Sequence, residues 1–215
     1  MMHSIQRGLL TGLVLLAATT AIQAGIITPI GASDAVVNRD WGNGFSASMW
    51  VTGATSPVLG VDYDPSDSDY RYWRVAELQF PIDGLAGMSD LTGELSLYVT
   101  NPGSGTMQVR YLGNATGTVA AQNIFNSGTV LNTFPANVSG WHSFDVSDEL
   151  QQSVDAGHQW VSFMVRSADW WHNTGIAASE DPQGLSPVLN VVPEPTTLAL
   201  SVLALLLVGL RRRRR

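Results

Sequence analysis

Arg74-Val75-Ala76-Glu77-Leu78-Gln79-Phe80 decides the fold class. Ala76, Leu78 and Phe80 alternate with Val75, Glu77 and Gln79. A period of two with one apolar side is the mark of a strand in an antiparallel sheet, where successive side chains point to opposite faces. The pattern recurs. Leu95, Leu97 and Val99 alternate with Ser96, Tyr98 and Thr100, and residues 159–166 are apolar on nearly both sides. Residues 35–37, 47–52, 74–80, 93–100, 106–112, 140–146, 159–166 and 187–192 all read as strands. Turn formers separate them, in Trp41-Gly42-Asn43-Gly44, Asp83-Gly84, residues 101–105 and Asp181-Pro182-Gln183-Gly184. A helix is expected over 147–156, with Ser147 as its cap and Leu150 and Val154 four apart. Many short strands with even spacing predict an all-β protein, a single antiparallel β-sandwich.

The two ends have a different chemistry. Residues 1–24 read as a signal peptide: Arg7 is basic, residues 9–18 are apolar, and Ala21-Ile22-Gln23-Ala24 offers a cleavage site. At the other end Pro193-Glu194-Pro195 cannot join a helix or a central strand and is expected to be an extended, exposed peptide. Residues 196–210 follow without a charge, and residues 211–215 are five arginines, which stay on the cytoplasmic side of a membrane. A spanning helix takes roughly 20 apolar residues, and this run has fifteen.

That ending resembles the PEP-CTERM sorting signal of Gram-negative, exopolysaccharide-producing bacteria. The likeness implies export, a transient inner-membrane stay through 196–210, and handling by an exosortase that cuts near Pro193-Glu194-Pro195. The product would be released to the cell surface or extracellular matrix. The expected domains are therefore 1–24, a signal peptide; 25–192, the β-sandwich; and 193–215, the sorting signal.

Setting aside Arg7, residues 211–215 and Glu194 leaves five basic against seventeen acidic residues, a net of −12. A field of that sign repels nucleic acid, which is excluded as a partner, and attracts cations. The chain has no cysteine, which removes thiol catalysis and thiolate-bound zinc.

Inside 25–192 four blocks resemble the DNRLRE-type domains, which are similar to carbohydrate-binding jelly rolls. They are Asp34-Ala35-Val36-Val37 with Trp41-Gly42-Asn43-Gly44 and Met49-Trp50-Val51; residues 74–82 with 91–99; Trp141-His142-Ser143-Phe144-Asp145-Val146-Ser147; and Ala178-Ser179-Glu180 with residues 186–191. Where that family has an arginine before Glu180, this chain has Ser179. The resemblance implies a jelly roll that serves as an accessory module in surface or polysaccharide-acting proteins.

Three groups of side chains are candidates for chemistry. Asp62, Asp64, Asp67 and Asp69 fall within eight residues of an expected loop. Clustered carboxylates with serines and loop carbonyls suit a structural calcium ion, although the spacing is not that of an EF-hand, and a solvated acidic loop is the plainer reading. Trp41, Trp170 and Trp171 stand in polar or turn-rich stretches, where flat rings can stack on sugars; Asp169, His172 and Asn173 beside them can bond hydroxyls. The alternative is that these rings cover the end of the sandwich. Trp50, Trp73, Trp141 and Trp160 lie in or beside strands and are expected to pack. Catalysis finds little support: neither Gly-x-Ser-x-Gly nor His-Glu-x-x-His occurs. Glu77 and Glu180 are the glutamates to inspect for an acid–base pair. The expected function is a non-catalytic exopolysaccharide-associated module, with a polysaccharide lyase or glycoside hydrolase as the alternative.

Overall fold

The computed structural model describes residues 25–29, 33–42, 48–52, 56–64, 70–120, 124, 127–169 and 172–193. The proposed signal peptide, the apolar run 196–210 and the terminal arginines lie outside the described residues. Among the described residues no helix is long and apolar enough to cross a membrane.

Twelve strands are described: β1 (Gly25–Ile27), β2 (Asp34–Gly42), β3 (Ser48–Thr52), β4 (Val58–Asp64), β5 (Tyr70–Pro81), β6 (Leu91–Asn101), β7 (Thr106–Asn114), β8 (Thr129–Pro135), β9 (Gly140–Asp145), β10 (Trp160–Ser167), β11 (His172–Ala177) and β12 (Val188–Pro193). The pairs between them are antiparallel. Hydrogen bonding runs β1-β12-β6-β11-β4-β5-β10-β7-β8, with β9 on β6 and β2 on β5 and β3. The antiparallel β-sandwich expected from the alternation is what the chain forms. One layer is built on β12, β6 and β9, the other on β2, β5, β10 and β7, and β11 joins them by pairing with both β4 and β6.

The interior follows from the same alternation. Ala76, Leu78 and Phe80 of β5 meet Val161, Phe163 and Val165 of β10, Met107 and Val109 of β7, and Leu95, Leu97, Val99, Leu189 and Val191 from the facing layer. Phe80 and Phe163 pack edge to face with centroids 6.1 Å apart. The opposite sides of β5 and β10 are also buried. Ala35, Val37, Val75 and Met164 form a second cluster beneath Val119 and Ile124 of the β7–β8 connection. That cover explains why residues 159–166 are apolar on nearly both sides.

The helix, α1 (Ser147–Asp155), seats Leu150 and Val154 in the main core. The sequence predicts Ser147 as its cap, but Val146 holds that position, without a side-chain bond. Ser147 instead donates from its amide (3.0 Å) and hydroxyl (2.5 Å) to Asp145 Oδ1, and its Oγ accepts from the Gly93 amide at 3.0 Å. Pro193 also departs from expectation. It is buried as the last residue of β12, opposite Leu91, rather than exposed. A proline tolerates a strand end, where its missing N–H is not required by a neighbour. Glu194 and Pro195 lie outside the described residues.

Candidate functional site

The side of β2, β5, β10 and β7 that faces away from the main core carries a run of polar and aromatic groups. Arg39 stands opposite Trp73, Gln108 opposite Arg166, and Arg110 opposite Met164. Strand alternation therefore aims Arg39, Trp73, Arg166, Gln108 and Arg110 the same way as Val37, Val75 and Met164 of the second cluster. The β7–β8 connection closes one half of this face. The other half is only half-buried.

The guanidinium of Arg166 lies 5.6 Å from the centre of the Trp73 ring, within reach of a cation–π contact. Its Nε donates to the Ser167 carbonyl at 3.1 Å. Burial pushes its pKa below the ordinary guanidinium value, and the neighbouring charge of Arg110 adds to the shift. Arg110 Nη2 donates to the Gly128 carbonyl at 2.7 Å, which ties the β7–β8 connection to the face. Arg39, Arg110 and Arg166 are three of the five arginines outside the termini, gathered on one side of an otherwise strongly acidic domain.

Of the residues singled out from the sequence, Trp41 lies on β2, and His172 and Asn173 lie on β11. Trp41 stands opposite Arg71, two rungs beyond the Arg39–Trp73 pair. His172 and Asn173 open β11 opposite Tyr63 and Asp62. Trp170 and Trp171 lie outside the described residues, in the connection from β10 to β11. Asp169 before them is described: Thr106 donates to its Oδ2 from the amide at 3.2 Å and also from the hydroxyl. The Ser167 hydroxyl donates to the Asp169 carbonyl at 2.6 Å, and the Ala168 amide to the Thr106 carbonyl at 2.8 Å. Asp169 thus pins this connection to the start of β7.

Two expectations are corrected. Asp62 and Asp64 are not in a loop; they are strand residues of β4, opposite Arg74 and Tyr72 of β5. The segment rich in Asp and Gly hides a strand because Leu59 and Val61 supply its buried side. Asp67 and Asp69 lie outside the described residues. Among the described residues no group of three His, Cys, Asp or Glu is placed to hold a metal ion. Second, Trp141 does not pack into the interior but is 48% exposed, with Tyr98 edge-on at 5.4 Å. Of the other strand tryptophans, Trp73 and Trp160 are half-buried, and the side chain of Trp50 lies outside the description.

The glutamates do not form a pair across a groove. Glu77 is 2% exposed on the second face, where its Oε1 accepts from Gln79 Nε2 at 2.8 Å and Ser162 Oγ at 3.0 Å. Glu180 acts instead on Asp34, whose strand partner Leu78 faces the main core. Asp34 is fully buried; Ser179 donates to it from the amide (2.7 Å) and the hydroxyl (2.6 Å). Burial holds its pKa above the ordinary aspartate value against those two bonds, and the charge of Glu180 raises it further.

Residues 50–192 match the model of a family described as "Carbohydrate-binding module family 96". Among curated proteins nothing matches significantly. One similar solved structure is a complex with xylogluco-oligosaccharide, at 10% identity and a TM-score of 0.30; the alignment covers 80% of this chain and 35% of that one.

Proposed function

Since the chain belongs to carbohydrate-binding module family 96, we propose that it is an exported, non-catalytic module that binds acidic polysaccharide across the open half of the Trp73 face. The observation that carries this reading is the Trp73–Arg166 stack flanked by Arg110. An indole presents a flat apolar surface to the C–H side of a sugar ring. Guanidinium groups match carboxylates in fork geometry. Trp41, near the end of β2, and His172, at the start of β11, would extend the surface together with Trp170 and Trp171. A lyase or hydrolase is the lesser reading, because Glu77 and Glu180 are held apart.

Export completes the proposal: residues 1–24 direct secretion, residues 196–210 hold the inner membrane in transit, and an exosortase removes residues 193–215 or most of them. The protein then resides at the cell surface or in the matrix. Mass spectrometry of the secreted form should find Gly25 at its start and a terminus near Pro193-Glu194-Pro195. An intact chain in the cytosol would refute this part.

The binding test is affinity electrophoresis of the full chain, in detergent, through gels containing a polyuronate or a neutral glucan. The native protein should be retarded by the polyuronate, and less so as salt is raised. Trp73→Ala and Arg110→Gln should each weaken retardation about tenfold or more, the loss expected for a residue at the centre of an interface. Unchanged retardation in both variants would sink the assignment.

A further inference from the structure

The opposite layer turns a second surface outward. On β6 the side chains of Leu91, Leu95, Leu97 and Val99 are buried, while Thr92 and Glu94 point away and Tyr98 is half-buried. Across the pairing, Tyr98 meets Trp141, Ser96 meets Ser143 and Glu94 meets Asp145 on β9; on the other side Asn190 of β12 meets Glu94. Ser96 and Ser143 are joined through their hydroxyls at 2.8 Å. Trp141 is the one aromatic among the exposed large apolar side chains of the described residues. With Tyr98 edge-on at 5.4 Å, Trp141 makes a paired aromatic patch on the strand face, and a contiguous exposed patch is what marks a binding surface.

A shallow groove lined by Thr92, Glu94, Asp145, Ser147, Asn190 and Val192 runs along the same strands. At about 3.4 Å per residue, the Glu94–Asp145 rung lies roughly 13 Å from the Tyr98–Trp141 rung. The surface is therefore long enough for a few sugar rings. Its chemistry is the reverse of the Trp73 face. Two carboxylates stand directly opposite each other, a placement that costs stability, and the rungs from Thr92 to Tyr98 hold no cation. An acidic chain would be repelled. A neutral, hydroxyl-rich chain would be welcome, because carboxylates and the Asn190 amide accept hydrogen bonds from hydroxyls while Trp141 supplies the stacking plane.

We propose that the outward face of β9, β6 and β12 is a second glycan-binding surface, selective for neutral polysaccharide, with Trp141 as its stacking residue and Glu94 and Asn190 as hydroxyl acceptors. It stands apart from the Trp73 site in residues, layer and charge. One module then links an acidic polysaccharide to a neutral one.

The full chain in detergent, run through gels with a neutral β-glucan, tests this surface. Trp141→Ala should lower the affinity for the neutral polymer about tenfold, Trp141→Phe should recover most of it, and Glu94→Gln should weaken it less. None should alter retardation by the polyuronate, and Trp73→Ala should leave the neutral polymer bound. Because Trp141 is exposed, unchanged melting temperatures will show that the variants fold. Native protein that ignores every neutral glucan, or Trp141→Ala that binds as well as native, overturns the proposal. So does a Trp141→Ala variant that loses self-association in sedimentation while binding glucan normally, which would make the face a contact between protein copies.

Discussion

Ser179 shows how one residue re-tunes its surroundings. Its amide and hydroxyl both donate to the buried Asp34 carboxylate. Without a cation, burial wins and the carboxyl titrates above its ordinary value. A folded pKa raised above the unfolded one means that the contribution of Asp34 to stability is full below about pH 4 and is lost as pH rises through the folded value. Ser179→Ala removes a bond that matters most to the ionised form. The variant should be about 2 kcal/mol less stable at neutral pH, with the deficit shrinking toward pH 3; urea titrations at both values measure it. A deficit independent of pH would mean that the hydroxyl does not serve the carboxylate. Trp141 makes the converse point. Its strand position was legible in the sequence, but its side was not, because Trp141 and His142 are both bulky and the period does not say which faces water.

At the scale of elements, the strands with clean alternation were readable and those without were not. β4 and β11 escaped notice because Gly60, Gly175 and polar residues dilute their patterns, although Leu59, Val61 and Ile176 are fully buried. β8 escaped because it is a largely exposed strand that buries only Phe134. These omissions mattered, since β4 and β11 carry Asp62, Asp64 and His172. The β7–β8 connection is the element on which the Trp73 face depends. Gly128 enters β8 at φ +76°, and a Cβ there would lie 2.3 Å from the Tyr111 carbonyl oxygen. Gly128→Ala should therefore cost roughly 2–4 kcal/mol through strain and displacement. It should also loosen the Arg110 bond to the Gly128 carbonyl, so polyuronate retardation should fall together with melting temperature. A variant as stable as native would show that the connection can shift freely.

The whole molecule separates its charges. A net of −12 is spread over the domain, yet three of its five arginines share one face, and Glu94 and Asp145 oppose each other on the other layer. Calcium at Asp62, Asp64, Asp67 and Asp69, expected from the sequence, is open to a direct test. If it binds there, EDTA should lower the melting temperature of the native chain by several degrees, and Asp64→Asn should abolish the shift; no change in EDTA would remove calcium from the account.

Composition and periodicity by themselves determined that the chain is an all-β sandwich with an acidic surface and chemically distinct ends. Those properties follow from local alternation and from charge counts, which need no knowledge of which strands are neighbours. Only the tertiary structure decided where function can reside. Arg39, Trp73, Arg110 and Arg166 come from four strands spread over more than a hundred residues, and they become one surface only because antiparallel registers bring β2, β5, β10 and β7 side by side.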